Sequence, residues 1–330
     1  MGGYGVELRD LYRARAAIAP YVRRTPLVPS PALSARCGGE VWLKLEVLQD
    51  TGSFKLRGAT YALLRLGEDE RRRGVVAVST GNHGRGVACA AARLGVRAVV
   101  CMSHLVPDNK VRAIRELGAE VRLVGRSQDE AQVEADRLVA GEGLVMVPPF
   151  DHPDVIAGQG TIGLELLEDL PGIDVAVVPL SGGGLIGGIA LALKAASPDV
   201  RVVGVTMARG AAMHASLRAG RPVAVEEVAT LADALGGGIG LANRHTFALV
   251  RDLVDEAVLV DEAEIAAGMR HAFREERLVV EGSGAVGIAA LLAGRIGGGG
   301  VAGRRVALVV SGNNVDMEAF GRVVLDGGGG

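Results

Sequence analysis

The sequence predicts an α/β fold with two lobes, each an open, mostly parallel sheet flanked by helices. Three observations carry that expectation. From Gly74 onward the 330-residue chain cycles through a short β-branched run, a glycine-bearing turn and a helical period. The same cycle resumes after Asp151. Hydrophobic residues make up 49% of the chain and aromatics only 3%, so a large core must be assembled from Ala, Val, Leu and Ile.

Between Val6 and Tyr21 the apolar positions Leu8, Leu11, Tyr12, Ala16 and Ile18 alternate with charges at a helical period. Pro26, Pro29 and Pro31 then predict an extended connection. Val41–Glu46 reads as a half-buried strand, and the turn at Lys55 leads into a helix through Leu63 to Leu66. Strands are expected at Val75–Val78, Val96–Met102, Val121–Val124 and Leu144–Val147. The turn Ser79–Gly84 and helices over Val87–Leu94, Pro107–Leu117 and Gln128–Ala140 lie between them. In the second half, helices are expected at Gly158–Leu170, Ile186–Ala195 and Ala211–Leu217, and another after Asp261. The strands there are Asp174–Pro179, Val202–Val205, Val258–Val260 and Val306–Val310. The glycine runs 297–300 and 327–330 are expected to be a loop and a frayed end.

A formal charge of −2 gives no reason to expect a nucleic-acid surface. A bound anion must be held by a local device. Cys37, Cys89 and Cys101 are odd in number and far apart, so they read as reduced thiols of a cytoplasmic protein. Met1–Asp10 lacks the pattern of a signal peptide, and no run is long enough for a membrane span.

The stretch Thr51-Gly52-Ser53-Phe54-Lys55-Leu56-Arg57-Gly58 sets one lysine among small residues. A lysine taken out of water loses its proton more readily, and a neutral amine attacks an aldehyde. Ser181-Gly182-Gly183-Gly184-Leu185 runs from a strand end into a helix, where glycine N–H groups and the helix start can cradle a phosphate. The glycine spacing is not that of a dinucleotide fingerprint, and no Gly-Lys-Ser/Thr of a Walker A loop follows. Ser79-Thr80-Gly81-Asn82-His83 offers two hydroxyls, an amide and an imidazole at another strand end; a capped helix start is the plain alternative. Ser311-Gly312-Asn313-Asn314 closes the last strand, and Glu281 precedes a small-residue helix.

These four motifs, taken in chain order, resemble those of fold-type II pyridoxal-phosphate enzymes, a tryptophan synthase β-like architecture. The branch with threonine dehydratase and serine racemase is nearest. Val147–His152 and Asp233–Gly238 are most similar to hydroxyectoine-utilisation dehydratases. The resemblance implies pyridoxal 5'-phosphate as cofactor. Lys55 would be its Schiff-base lysine and the base for the α-proton, with Phe54 against the ring. Asn82 would donate to the ring oxygen, and Gly182, Gly183, Gly184 and Leu185 would hold the phosphate. Ser311 would face the pyridine nitrogen, with Glu281 nearby. Ser79, Thr80, Asn82 and His83 would take the substrate carboxylate. Thr80 stands where racemases carry a serine that donates a proton, which keeps the hydroxyl but adds a methyl.

The implied activity is removal of water from a β-hydroxy amino acid, such as threonine, serine or a hydroxyectoine-derived one, giving a keto acid and ammonia. An amino-acid racemase is the alternative, and a non-catalytic ligand-binding protein the third. Thr206 replaces the glutamate that helps bind a cation in some relatives, so no metal is expected. The partners implied are a small amino acid and a second copy in a homodimer. Residues 1–73 and 151–330 would form a large cofactor-binding domain, and residues 74–150 a small mobile one.

Overall fold

The computed structural model describes residues 3–325. Its strands, in chain order, are β1 (Leu27–Pro29), β2 (Glu40–Leu45), β3 (Val75–Val78), β4 (Ala98–Met102), β5 (Glu120–Leu123), β6 (Val145–Met146), β7 (Val175–Pro179), β8 (Arg201–Met207), β9 (Glu256–Val260) and β10 (Arg305–Val310). They form two sheets. One has the order β1-β2-β10-β7-β8-β9 and the other β5-β4-β3-β6. Every pairing is parallel except β1 with β2.

Sheets covered on both faces need apolar residues at every position, and these strands supply them. In β7, Val175 and Val177 pack into one core while Ala176 and Val178 pack into the core on the opposite face. In β3, Val75 and Ala77 face one way and Val76 the other. The low aromatic content fits this plan, because β-branched residues tile a pleated surface.

The smaller sheet does not keep its core to itself. Leu56, Ala59 and Leu63 of the helix Lys55–Leu64, and Val155 of the helix Pro153–Asp169, pack into the same cluster as β3 and β4. The helix that begins at Lys55 therefore sits between the two sheets.

Several element boundaries differ from expectation. The proline-rich connection contains an edge strand, β1, where Pro29 is tolerated at the sheet margin. It then enters a helix, Pro31–Cys37. Ser30 Oγ accepts from the Leu33 N–H at 3.1 Å, and Pro31 occupies the first turn, where its missing donor costs nothing. The helix expected from Val87 begins at Asn82, and the one expected from Ile186 begins at Gly184. In both, the first turn is built of glycine and polar residues, so the apolar period starts a turn late. Short helices at Glu68–Arg73, Thr246–Leu253 and Met317–Leu325 had no prediction. The helix expected from Gly158 starts at Pro153. The 297–300 run forms turns, and 327–330 lies outside the described residues.

Candidate active site

In parallel sheets the carboxyl ends of strands face ligand crevices. Here the loops after β3, β7 and β10 meet at a cavity of about 830 Å³. Every residue given a cofactor or substrate role in the sequence reading lines it. Phe54 and Lys55 form one wall, and Ser79, Thr80, Asn82 and His83 another. Gly182, Gly183, Gly184 and Leu185 supply a third. Glu281 and Ser311 close it.

Backbone pairing holds the Lys55 turn against the loop after β10. Phe54 N–H donates to the Ser311 carbonyl at 3.1 Å, Asn313 N–H to the Gly52 carbonyl at 2.9 Å, and Ser53 pairs with Gly312 in an isolated bridge. Lys55 Nζ donates to the Pro149 carbonyl at 2.7 Å and lies 5.3 Å from the Phe54 ring centre. No carboxylate pairs with it among the described residues. Burial alone therefore acts on the amine and brings its pKa down to about 8. A useful fraction of Lys55 is then a neutral nucleophile near neutral pH.

The loop after β7 is a cradle. Gly183 takes φ 89°, a left-handed conformation that favours glycine, and caps the helix Gly184–Ala196. A Cβ at Gly182 would overlap the Phe150 ring, so the close approach excludes a side chain. The N–H groups of Gly182, Gly183, Gly184 and Leu185 have no acceptor among the described residues. Orphan donors at a helix start are a ready anion site. Ser181, by contrast, spends its hydroxyl on the Leu235 carbonyl at 2.9 Å.

Asn82 and Glu281 meet. Asn82 Nδ2 donates to Glu281 Oε1 at 2.7 Å, and Asn314 Nδ2 donates to Asn82 Oδ1 at 2.6 Å. Burial pushes the Glu281 carboxyl up to about 8, against the opposing pull of the Asn82 hydrogen bond. One Asn82 amide N–H is thus spent on Glu281, and the other has no acceptor among the described residues. The His83 side chain is engaged with the main chain. Its Nε2 sits 2.8 Å from the Val147 carbonyl, which requires the proton on that nitrogen. Burial, with the Lys55 charge nearby, lowers its pKa to about 3. The imidazole is a neutral anchor between the loop after β3 and the loop after β6. Ser79 and Thr80 remain half-buried at the cavity wall.

Three participants were given no role in the sequence reading. Asn314 bridges Asn82 and the Thr51 carbonyl, the latter at 2.8 Å. Ser283 has a buried hydroxyl with no partner and lines the cavity. Arg85 lines it too. Arg85 stands three residues after Asn82 on the same helix, so the i, i+3 rule could have brought it forward. Ser283 and Asn314 carry no such signal, because turn chemistry explains both types equally well.

A buried amine whose pKa is lowered, opening into one cavity with a cradle of unpaired N–H groups, can hold a phosphorylated aldehyde and act on an amino group brought to it. Comparisons with known proteins agree. A "Putative threonine dehydratase" of Sinorhizobium fredii is 56% identical over 97% of this chain and 95% of its own length. The L-threonine ammonia-lyase of Thermotoga maritima is 46% identical over 98% of this chain and 79% of its own. The structure of maize serine racemase superposes with a TM-score of 0.91 at 33% identity, covering 98% of both chains. Residues 18–312 match the family model described as "Pyridoxal-phosphate dependent enzyme", and the chain belongs to that family.

Proposed function

We propose that this protein is a pyridoxal-phosphate-dependent dehydratase that removes water from a β-hydroxy amino acid of the threonine or serine type, with loss of ammonia. One observation carries the reading: the buried amine of Lys55 and the orphan N–H groups of Gly182–Leu185 open into one cavity. The named activities of the Sinorhizobium fredii and Thermotoga maritima relatives support it.

The residues present fit the cofactor. The glycine cradle would take its phosphate through backbone donors, Phe54 would lie against the ring, and Ser311 would present a hydroxyl to the ring nitrogen. Asn82 and Glu281 would border the ring oxygen. When bound, pyridoxal phosphate supplies an electron sink for charge developing at the α-carbon. The protein's own part is then proton handling and positioning. Ser79, Thr80 and the N–H groups beside them orient the substrate carboxylate, with His83 fixing that wall from behind. The neutral Lys55 amine receives the α-proton. Lys55, now an ammonium, can give that proton to the β-hydroxyl, which then departs as water.

The racemase reading stays as the second, favoured by the maize structure and by the Thr80 hydroxyl in the cavity wall. Substrate racemised without keto-acid release would favour it. The hydroxyectoine-derived substrate belongs among those to be screened. We further infer a homodimer, a cytoplasmic setting and a mobile unit over residues 74–150. The first two are checked by light scattering and cell fractionation, and the third by hydrogen exchange with and without substrate. Among the described residues no helix is long and apolar enough to cross a membrane.

The decisive experiment uses Lys55→Ala. The parent, incubated with the cofactor, should gain a visible absorbance band that borohydride bleaches, and should release keto acid from serine or threonine. The variant should lose the band and at least about 1000-fold in turnover. A parent protein that stays colourless would falsify the enzyme reading.

A further inference from the structure

The cavity holds one cation that the proposed chemistry does not use. Arg85 projects from the helix Asn82–Leu94 and is half-buried. It makes no ion pair and no side-chain hydrogen bond among the described residues. The other two cations of the lining are accounted for. Lys55 rests on the Pro149 carbonyl, and Lys110 lies 3.3 Å from Asp233. Glu281 and Glu116 act on Arg85 only at longer range, and burial still makes its charge harder to hold. Buried guanidinium groups are ordinarily matched by carboxylates, as their five rigid donors demand. Arg85 is only half-buried, so solvent can serve its donors, and an acceptor on a ligand in the cavity can take the place of that solvent.

The rest of the cavity narrows what that ligand group can be. The cofactor phosphate has the glycine cradle, and the α-carboxylate has the Ser79–Asn82 wall. Arg85 lies one turn beyond Asn82 on the same helix face, so it is placed to meet a substrate group that adjoins the α-carboxylate. The mouth also carries exposed Asp129, Glu227 and Asp233; these carboxylates attract cations, but they are solvated and screened, and the charge further inside is Arg85. We propose that Arg85 selects substrate: it donates to a planar oxygen acceptor, a carboxylate or a carboxamide, carried on the side chain beyond the β-carbon. This deepens the dehydratase reading and rests on it. Serine and threonine would then be turned over without filling the site.

The test compares three substrates with one skeleton, 3-hydroxyaspartate, 3-hydroxyasparagine and serine, on the cofactor-loaded enzyme and on Arg85→Gln and Arg85→Lys. In the variants, kcat/KM for the acceptor-bearing substrates should fall relative to serine by about 10- to 100-fold, the range of a charge-assisted hydrogen bond. A larger loss for 3-hydroxyaspartate assigns the site to a carboxylate, and an equal loss for 3-hydroxyasparagine to either acceptor. An unchanged ratio, or parallel loss on all three substrates, overturns the proposal. Calorimetric binding of L-aspartate against L-alanine, neither carrying a hydroxyl to expel, reads the same contact without turnover. The parent should prefer aspartate and Arg85→Gln should lose that preference; equal preference in both overturns the proposal. If no substrate yields keto acid, the dehydratase reading fails, while the aspartate-to-alanine ratio still judges Arg85.

Discussion

Lys55 and Arg57 stand two residues apart on one helix, and their surroundings treat their charges in opposite ways. Arg57 points away from the cavity into a closed network. Its Nε and Nη2 donate to Glu46 at 2.9 and 2.8 Å, and its Nη1 and Nη2 to Glu165 at 2.6 and 2.9 Å. Lys44 Nζ adds a 2.6 Å contact to Glu165. All four side chains are buried. Burial opposes the Arg57 charge, yet the two carboxylates more than offset it and push its pKa up. Lys55 has burial and no carboxylate, so its pKa falls. Two cations and two anions cancel in the network, which joins β2, the Lys55 helix and the helix Pro153–Asp169. The lesson is one of division of labour. The helix is anchored by a charge-matched network on one side so that an amine without a counter-charge can be held still on the other.

The strongest way to break this comparison is Arg57→Met. Removing one member strands Glu46 and weakens the hold on Glu165, and breaking a buried pair costs about 3–5 kcal/mol. The melting temperature should drop by many degrees, while molecules that still fold keep the cofactor absorbance. A variant that melts with the parent would mean the network anchors nothing.

Glu281→Gln sharpens the cavity side. Glu281 is buried with an amide partner and no ion-paired cation, so its folded pKa is raised above its unfolded value. Its contribution is then fully present at low pH and is lost as pH rises from the ordinary carboxylate range through about 8. Glutamine keeps the acceptor and cannot ionise. The cofactor-free variant should match the parent near pH 4.5 and exceed it increasingly up to pH 8, by a few kcal/mol at most. Denaturant melts across that window check it. A constant offset would show that Glu281 is not buried as a neutral acid.

The smallest effect is expected from Gly182→Ala. The added methyl meets the Phe150 ring, which must shift and carry the cradle with it. Cofactor affinity should weaken about tenfold, equal to ~1.4 kcal/mol, with little change in the melting of the cofactor-free protein. Titration of absorbance against added cofactor measures it. An unaltered affinity would indicate that the backbone donors tolerate the shift.

Much of this was legible in the residues. Strand runs were readable because both faces of each sheet are buried, so β-branched positions are continuous. The functional loops were readable because glycine, Ser, Thr and Asn cluster at strand ends for chemical reasons. Helix starts at Asn82 and Gly184 were not, since their first turns are glycine-rich and carry no period. The Pro31 helix was missed although Ser30 and Pro31 form a start signal, because three nearby prolines favoured an extended reading.

The sequence alone determined the α/β class, the parallel sheets and the lysine-plus-glycine-loop chemistry, because alternation, turn residues and motif order are local properties. Only tertiary structure decided that His83 is an anchor on Val147, that Asn82 meets Glu281, that Arg57 is matched and that Arg85 is not. Those outcomes depend on which groups from distant segments come within hydrogen-bond reach in a low-dielectric interior. Pairing between segments up to 199 residues apart sets a charge's fate, and no local pattern encodes it.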